Sequence, residues 1–124
     1  MIWALLLGFA LFAVNVAMWS AMDNLVKEGQ EAFQALRFAP FPSVAAPAGL
    51  TLGGGCEIAL ACDLRYAAED AQIGLTEARI GAIPGAGGTQ RLPRLVGLSA
   101  AIELICGATR VPAPDAQARS MVDA

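Results

Sequence analysis

The sequence predicts an α/β fold, and three features predict it. Short runs of strand-forming residues alternate with helical periodicity from residue 43 onward. The segment Leu52-Gly-Gly-Gly-Cys-Glu57 reads as a strand ending in a glycine turn that opens a helix. A second glycine-rich loop, Ile83-Pro-Gly-Ala-Gly-Gly88, precedes another helix. A chain of 124 residues suffices for one small domain. We read 1–124 as a single unit, with an apolar segment and amphipathic helix over 1–42 and a core region over 43–124.

The elements follow in order. Met1 to Met22 carries no charge, and only Asn15 and Ser20 are clearly polar. About 20 apolar residues can span a bilayer, so membrane association through residues 1–22 stands as an alternative. No Lys or Arg precedes the run, which makes it a poor secretory signal. Ala17 to Arg37 reads as an amphipathic helix packed on a core, with Met22, Leu25, Val26, Gly29, Phe33 and Leu36 on one face. Pro40 and Pro42 stop it.

Ser43–Ala46 is expected as a short buried strand and Cys56–Asp63 as a helix. Leu64–Ala67 and Gln72–Leu75 are expected as short strands around an acidic turn at Glu69-Asp70. Helices follow from Thr89 to Val96, with Thr89 as a cap, and from Ser99, again as a cap, to Gly107. Pro114-Asp115 starts a last helix that runs almost to the end of the chain.

Composition removes several function classes. The net charge is −3 with no basic run, so no nucleic-acid partner is expected. Histidine is absent, which removes Ser-His-Asp and Cys-His catalysis and most zinc chemistry. No metal site is expected. Three cysteines without a C-x-x-C spacing point to reduced thiols in a cytosol-like compartment. Acid–base work falls to carboxylates, Lys, Tyr or Cys.

Those carboxylates stand at informative places. A helix opening at Gly53-Gly54-Gly55 aims free N–H groups and the positive dipole end at one spot, which suits a developing negative charge. Glu57 lies just beyond that turn, and Glu77 follows twenty residues later in Leu75-Thr-Glu-Ala-Arg-Ile-Gly81. Each feature alone has a plainer reading. A glycine triplet is more often a structural turn, Glu57 a residue complementing the helix dipole, and Glu77 a solvated loop residue. Neither glycine loop matches G-x-G-x-x-G or a P-loop.

The combination is more specific. Gly53-Gly-Gly-Cys-Glu57, then Thr76-Glu77, then Gly81-Ala-Ile-Pro-Gly-Ala-Gly-Gly-Thr-Gln-Arg-Leu92 resembles the crotonase, or enoyl-CoA hydratase/isomerase, superfamily. The likeness continues through Leu95-Val-Gly97, the Ala101-Ile-Glu-Leu helix, Gly107 and Val122-Asp123. It covers Ser43 to Asp123, and Phe12 to Pro42 resembles the helix that precedes this core in some members.

The resemblance implies a spiral of ββα units, acyl-CoA thioester substrates and an enolate intermediate. It implies reversible hydration of a trans-2-enoyl-CoA, a step of fatty-acid β-oxidation. Glu57 and Glu77 would be catalytic, with Glu57 activating water and Glu77 delivering the α-proton. Gly54, with Gly53, would form the oxyanion and substrate-binding turn, and Gly85 would line the same pocket. Coenzyme A is part of the substrate, and no separate cofactor is implied. A trimer-based homo-oligomer in the cytoplasm is the family pattern. An enoyl-CoA isomerase, the hydratase part of a multifunctional enzyme, or a non-catalytic assembly or membrane-associated fragment are the alternatives.

Three departures bear on this reading. Thr76 replaces the proline of the family's Pro-Glu, and Ser120 stands where a glycine is usual. Family members also carry an upstream half with a second oxyanion amide and C-terminal helices for assembly. The chain is accordingly expected to be a partial domain, weakly active or inactive in isolation.

Overall fold

The computed structural model of the chain describes the backbone of residues 2–124 and side chains from residue 10 onward. Helix α1 spans Ile2–Arg37 without a break. Strand β1 is Val44–Ala45 and β2 is Leu50–Leu52, followed by α2, Gly54–Ala61. Strands β3, Leu64–Arg65, and β4, Gln72–Gly74, lead to a 3-10 turn at Glu77–Ile80. Helices α3, Gly88–Val96, and α4, Leu98–Cys106, precede β5, Val111–Pro112, and α5, Ala113–Ala118.

The pairing shows how the chain winds. β1 pairs with β3 in parallel, Val44 opposite Leu64, and β2 pairs with β4 in parallel, Leu50 opposite Gln72. Each strand of the first ββα turn therefore lies on its equivalent in the next. Parallel pairing requires a crossover, and α2 supplies it. β5 closes the second sheet, antiparallel to β4, with Ile73 opposite Val111.

The core lies between this ladder and α2, α3, α4 and α5. It gathers Cys56, Leu60, Ile73, Leu75, Leu92, Leu104, Val111 and Met121. Leu92 is fully enclosed. Leu92→Ala should cost about 2–5 kcal/mol, read from the urea midpoint. The buried Arg65 ties the C-terminus down. Its Nε donates to the Met121 carbonyl at 2.9 Å, and its guanidinium lies 3.3 Å from Asp123.

Several expectations need correction. The face of α1 predicted to pack on the core is only half-buried at Gly29, Phe33 and Leu36, while Met22, Leu25 and Val26 are exposed. The helix outruns the small core, so its middle has nothing to cover it among the described residues. β1 is likewise not buried, since Val44 faces solvent. Among the described residues no helix is long and apolar enough to cross a membrane. The side chains of residues 1–9, part of the predicted membrane segment, lie outside the described residues. Cys56, Cys62 and Cys106 are free thiols, as expected.

Helix starts and stops also shift. α3 begins after Gly87, at φ 107°, and α4 after Gly97, at φ 83°. Those left-handed turns put the chain into a helix before Thr89 and Ser99, so neither hydroxyl acts as a cap. The last helix ends at Ala118 rather than near the terminus. Ser120 then adopts φ 62°, the left-handed conformation that favours the glycine usual at this position. That reversal sends Met121 and Val122 back into the core.

Candidate active site

The site is built around the first turn of α2. Gly53 precedes that helix with φ 56°, a conformation open to glycine at little cost. Its N–H donates to the Gly74 carbonyl at 2.9 Å, and its own carbonyl accepts from the Glu57 N–H at 2.9 Å. The Gly53 amide is therefore spent on fixing the turn. Gly54 starts the helix and is exposed. Its N–H has no intrahelical partner, as for any first-turn amide, so it remains free for a ligand. Gly54, the residue on which the expected oxyanion role falls, is thus the one whose amide the turn leaves unspent.

Glu57 lies one turn along the same helix and is 4% exposed. Its Oε1 accepts from the Ala86 N–H at 2.9 Å and the Gly88 N–H at 2.8 Å. The second glycine loop thus grips the glutamate, and the carboxylate caps the N-terminus of α3. Oε2 has no hydrogen-bond partner among the described residues, which leaves it available to a substrate or water. The loop is held in turn by Arg91, whose Nη1 donates to the Ala86 carbonyl at 2.7 Å. Burial lowers the pKa of this guanidinium, while the Glu57 charge opposes the shift.

Glu77 arrives from the opposite side. The 3-10 turn orients it without the proline usual at position 76. The Arg79 N–H donates to the Thr76 carbonyl at 3.1 Å, and the Ala82 N–H donates to the Glu77 carbonyl at 3.1 Å. A Cβ placed on Gly53 would lie 3.4 Å from Glu77 Oε1, so the carboxylate sits over the glycine turn. Its Oε2 is buried without a partner. An orphaned buried carboxylate oxygen calls for an explanation, and a ligand group supplies one.

Cys56 reports that the two carboxylates share a neighbourhood. Burial, first, and then the charges of Glu77 and Glu57 push its thiol up to about 12. At neutral pH that thiol stays protonated and serves as core rather than as a nucleophile.

Gly85 lies on the loop whose next residue, Ala86, holds Glu57. The Gly85 carbonyl accepts from Gln30 Nε2 at 2.7 Å, and Gly85 faces α1. Together with Trp19, Met22 and Val26 it lines a groove of about 1040 Å³ that neither glutamate lines. The residues missed by sequence reasoning are Ala86 and Gly88, which act through backbone N–H groups. Backbone donors carry no side-chain signature, and only the Gly87-Gly88 pair hinted at a close approach.

Gly88 has no room for a side chain. An added Cβ would lie 2.8 and 2.9 Å from the Leu75 methyls and 3.0 Å from Glu57 Oε1. Gly88→Ala should displace the carboxylate and lower any activity that depends on Glu57 by about 10²-fold, since small misplacements of reacting groups cost that much. Steady-state rates on a CoA thioester measure it.

Comparisons with known proteins place the chain in a family. The family model described as enoyl-CoA hydratase/isomerase matches residues 12–124. The chain is 48% identical over 104 residues to "Fatty acid oxidation complex subunit alpha" of Vibrio vulnificus, covering 82% of this chain and 15% of that one. It is 52% identical over 83 residues to the human "Methylglutaconyl-CoA hydratase, mitochondrial", covering 67% of this chain and 24% of that one. The crystal structure of enoyl-CoA hydratase from Bacillus anthracis superposes with a TM-score of 0.80 at 44% identity, over 84% of this chain and 40% of that one. The chain thus spans well under half the length of these relatives.

Proposed function

We propose that this chain, which belongs to the enoyl-CoA hydratase/isomerase family, supplies the acid–base pair and one oxyanion amide for hydration of a trans-2-enoyl-CoA thioester. One observation carries the reading: the Glu77 carboxylate stands over the turn that opens α2 with its buried Oε2 unpartnered among the described residues, and Glu57 projects from the same turn with one oxygen free.

The chemistry follows from that placement. The Gly54 N–H donates to the thioester oxygen and draws electron density off the conjugated double bond. Glu57 takes a proton from water as its oxygen bonds to the β-carbon. The α-carbon takes a proton from Glu77 as the thioester enolate collapses. One proton is taken up and one given out, so the pair regains its starting charge once the proton passes between the carboxylates. The glycine loop holds Glu57 at one oxygen and leaves the other for water, a division of labour that suits a base.

A second reading is the hydratase part of a multifunctional enzyme, favoured by the likeness to the Vibrio alpha subunit, of which this chain spans 15%. An isomerase needs a single proton-shuttling carboxylate, and the anchoring of Glu57 by two amides favours the hydratase. The proposed mechanism has a single oxyanion donor, Gly54, and lacking a second costs about 10²–10³ in rate. The test is loss of enoyl-thioester absorbance with crotonyl-CoA. We expect slow formation of 3-hydroxybutyryl-CoA by the chain and none by Glu77→Gln. Equal rates from the two proteins would sink the assignment of Glu77.

A further inference from the structure

Half of the chain's basic residues gather at one place that the reaction above does not use. Arg37, Arg65, Arg91 and Arg94 line a pocket of about 250 Å³ floored by Leu60 and Leu95, with Asp63 at its edge. The chain has only eight Lys and Arg in all and a net charge of −3, so four guanidiniums around one hollow is a marked concentration. We propose that this pocket binds a phosphate-class oxyanion, either free or as part of a larger ligand.

The local charge does not cancel. Asp63 Oδ2 accepts from both the backbone N–H and the hydroxyl of Ser43 at 2.9 Å. Only Oδ1 remains toward Arg37, at a loose 3.5 Å and with both partners substantially exposed. Asp123 is drawn to Arg65 alone, whose Nη1 is spent on the Cys62 carbonyl. Arg91 and Arg94 have no carboxylate within salt-bridge distance among the described residues. Arg91 uses one donor on Ala86 and Arg94 reaches back to Gln90 on its own helix. A guanidinium carries five N–H donors, so most of those on Arg37, Arg91 and Arg94 are free. Arg37 also lies close enough for its charge to lower the pKa of Arg91.

Like charges held round a small hollow are stabilised by an anion between them. Arginine's planar fork suits the paired oxygens of a tetrahedral oxyanion. The pocket sits beyond the C-terminal end of α2, whereas the two glutamates stand at its N-terminal end. Arg91 also braces the loop that holds Glu57, so the test rests on Arg37 and Arg94, which bond neither that loop nor the glutamates.

The test titrates inorganic phosphate into the chain at constant ionic strength held with chloride, following arginine side-chain NMR signals. Saturable shifts in the millimolar range are expected for Arg37, Arg91 and Arg94. Arg37→Gln combined with Arg94→Gln should weaken binding at least about tenfold. Both residues are exposed, and their side-chain hydrogen bonds go only to Asp63 and Gln90, so the fold is retained, and a matching urea midpoint checks it. A parallel titration with ADP separates the sources. Tighter ADP binding that phosphate competes away assigns the pocket to a phosphate on a larger ligand, and ADP binding no tighter than phosphate assigns it to the free ion. Shifts that never saturate, or equal affinity in the double variant, would overturn the proposal.

Discussion

Under the proposed function, Glu57→Gln is expected to lower hydration of crotonyl-CoA by about 10²–10⁴, the usual contribution of a positioned acid–base group. The same change leaves the fold in place. A glutamine carbonyl oxygen still accepts the Ala86 and Gly88 N–H groups that now bond Oε1. Its amide nitrogen takes the position of the free Oε2 and cannot accept a proton from water. Urea unfolding should therefore agree with the parent chain within about 0.5 kcal/mol. Glu57→Ala makes the contrast. It leaves the buried Gly88 N–H and the half-buried Ala86 N–H without an acceptor, at up to about 1–3 kcal/mol each, so both stability and rate fall. A rate that survives Glu57→Gln would place the base elsewhere.

The second large effect is structural and reaches the site through the sheet. Gly74 closes β4, and an added Cβ there would run into the Thr109 carbonyl oxygen, with the Arg110 Cα at 3.5 Å. The obstacle is backbone, which cannot rotate aside as a side chain does. Gly74→Ala must push the Thr109 turn away and loosen the pairing of β4 with β5, and about 3 kcal/mol of stability should be lost. The Gly74 carbonyl also anchors the Gly53 N–H, so the turn that presents the Gly54 amide shifts with it. Gly29→Ala, in α1 with nothing within 4 Å of the new methyl, is the control. It should be neutral or gain up to about 1 kcal/mol from helix propensity. The midpoints of urea unfolding for the two variants, compared at equal slope, measure the difference.

Much of the site is legible in the sequence because it depends on residue types with strong local rules. Three adjacent glycines before an apolar helix mark the turn that opens α2, and glutamates at 57 and 77 mark its chemistry. The α/β class follows from the alternation of strand and helix signals, and the ββα winding from the family resemblance. What escapes has physical causes. β5 is two residues long and ends in Pro112, so it has no period to detect and owes its existence to pairing with β4. The grip on Glu57 comes from the amides of Ala86 and Gly88, which any residue could carry. That the Gly53 amide is spent rests on one long-range bond, Gly53 N–H to Gly74 carbonyl, between segments twenty-one residues apart. Apolar periodicity in α1 predicts a covered face, but coverage requires a partner surface, and the small core reaches only the helix's C-terminal turns.

The measurement that tests the central claim most directly is the carbonyl stretch of crotonyl-CoA bound to the Glu57→Gln chain, where the substrate is held without turnover. A hydrogen bond from the α2 amide weakens the C=O bond and lowers its frequency. Gly54→Pro in the same background removes that single N–H, and proline is well tolerated at the first position of a helix. The account predicts a lowered frequency with Gly54 and an unshifted one with proline. A frequency shift of equal size in both proteins, or none in either at saturation, would contradict it.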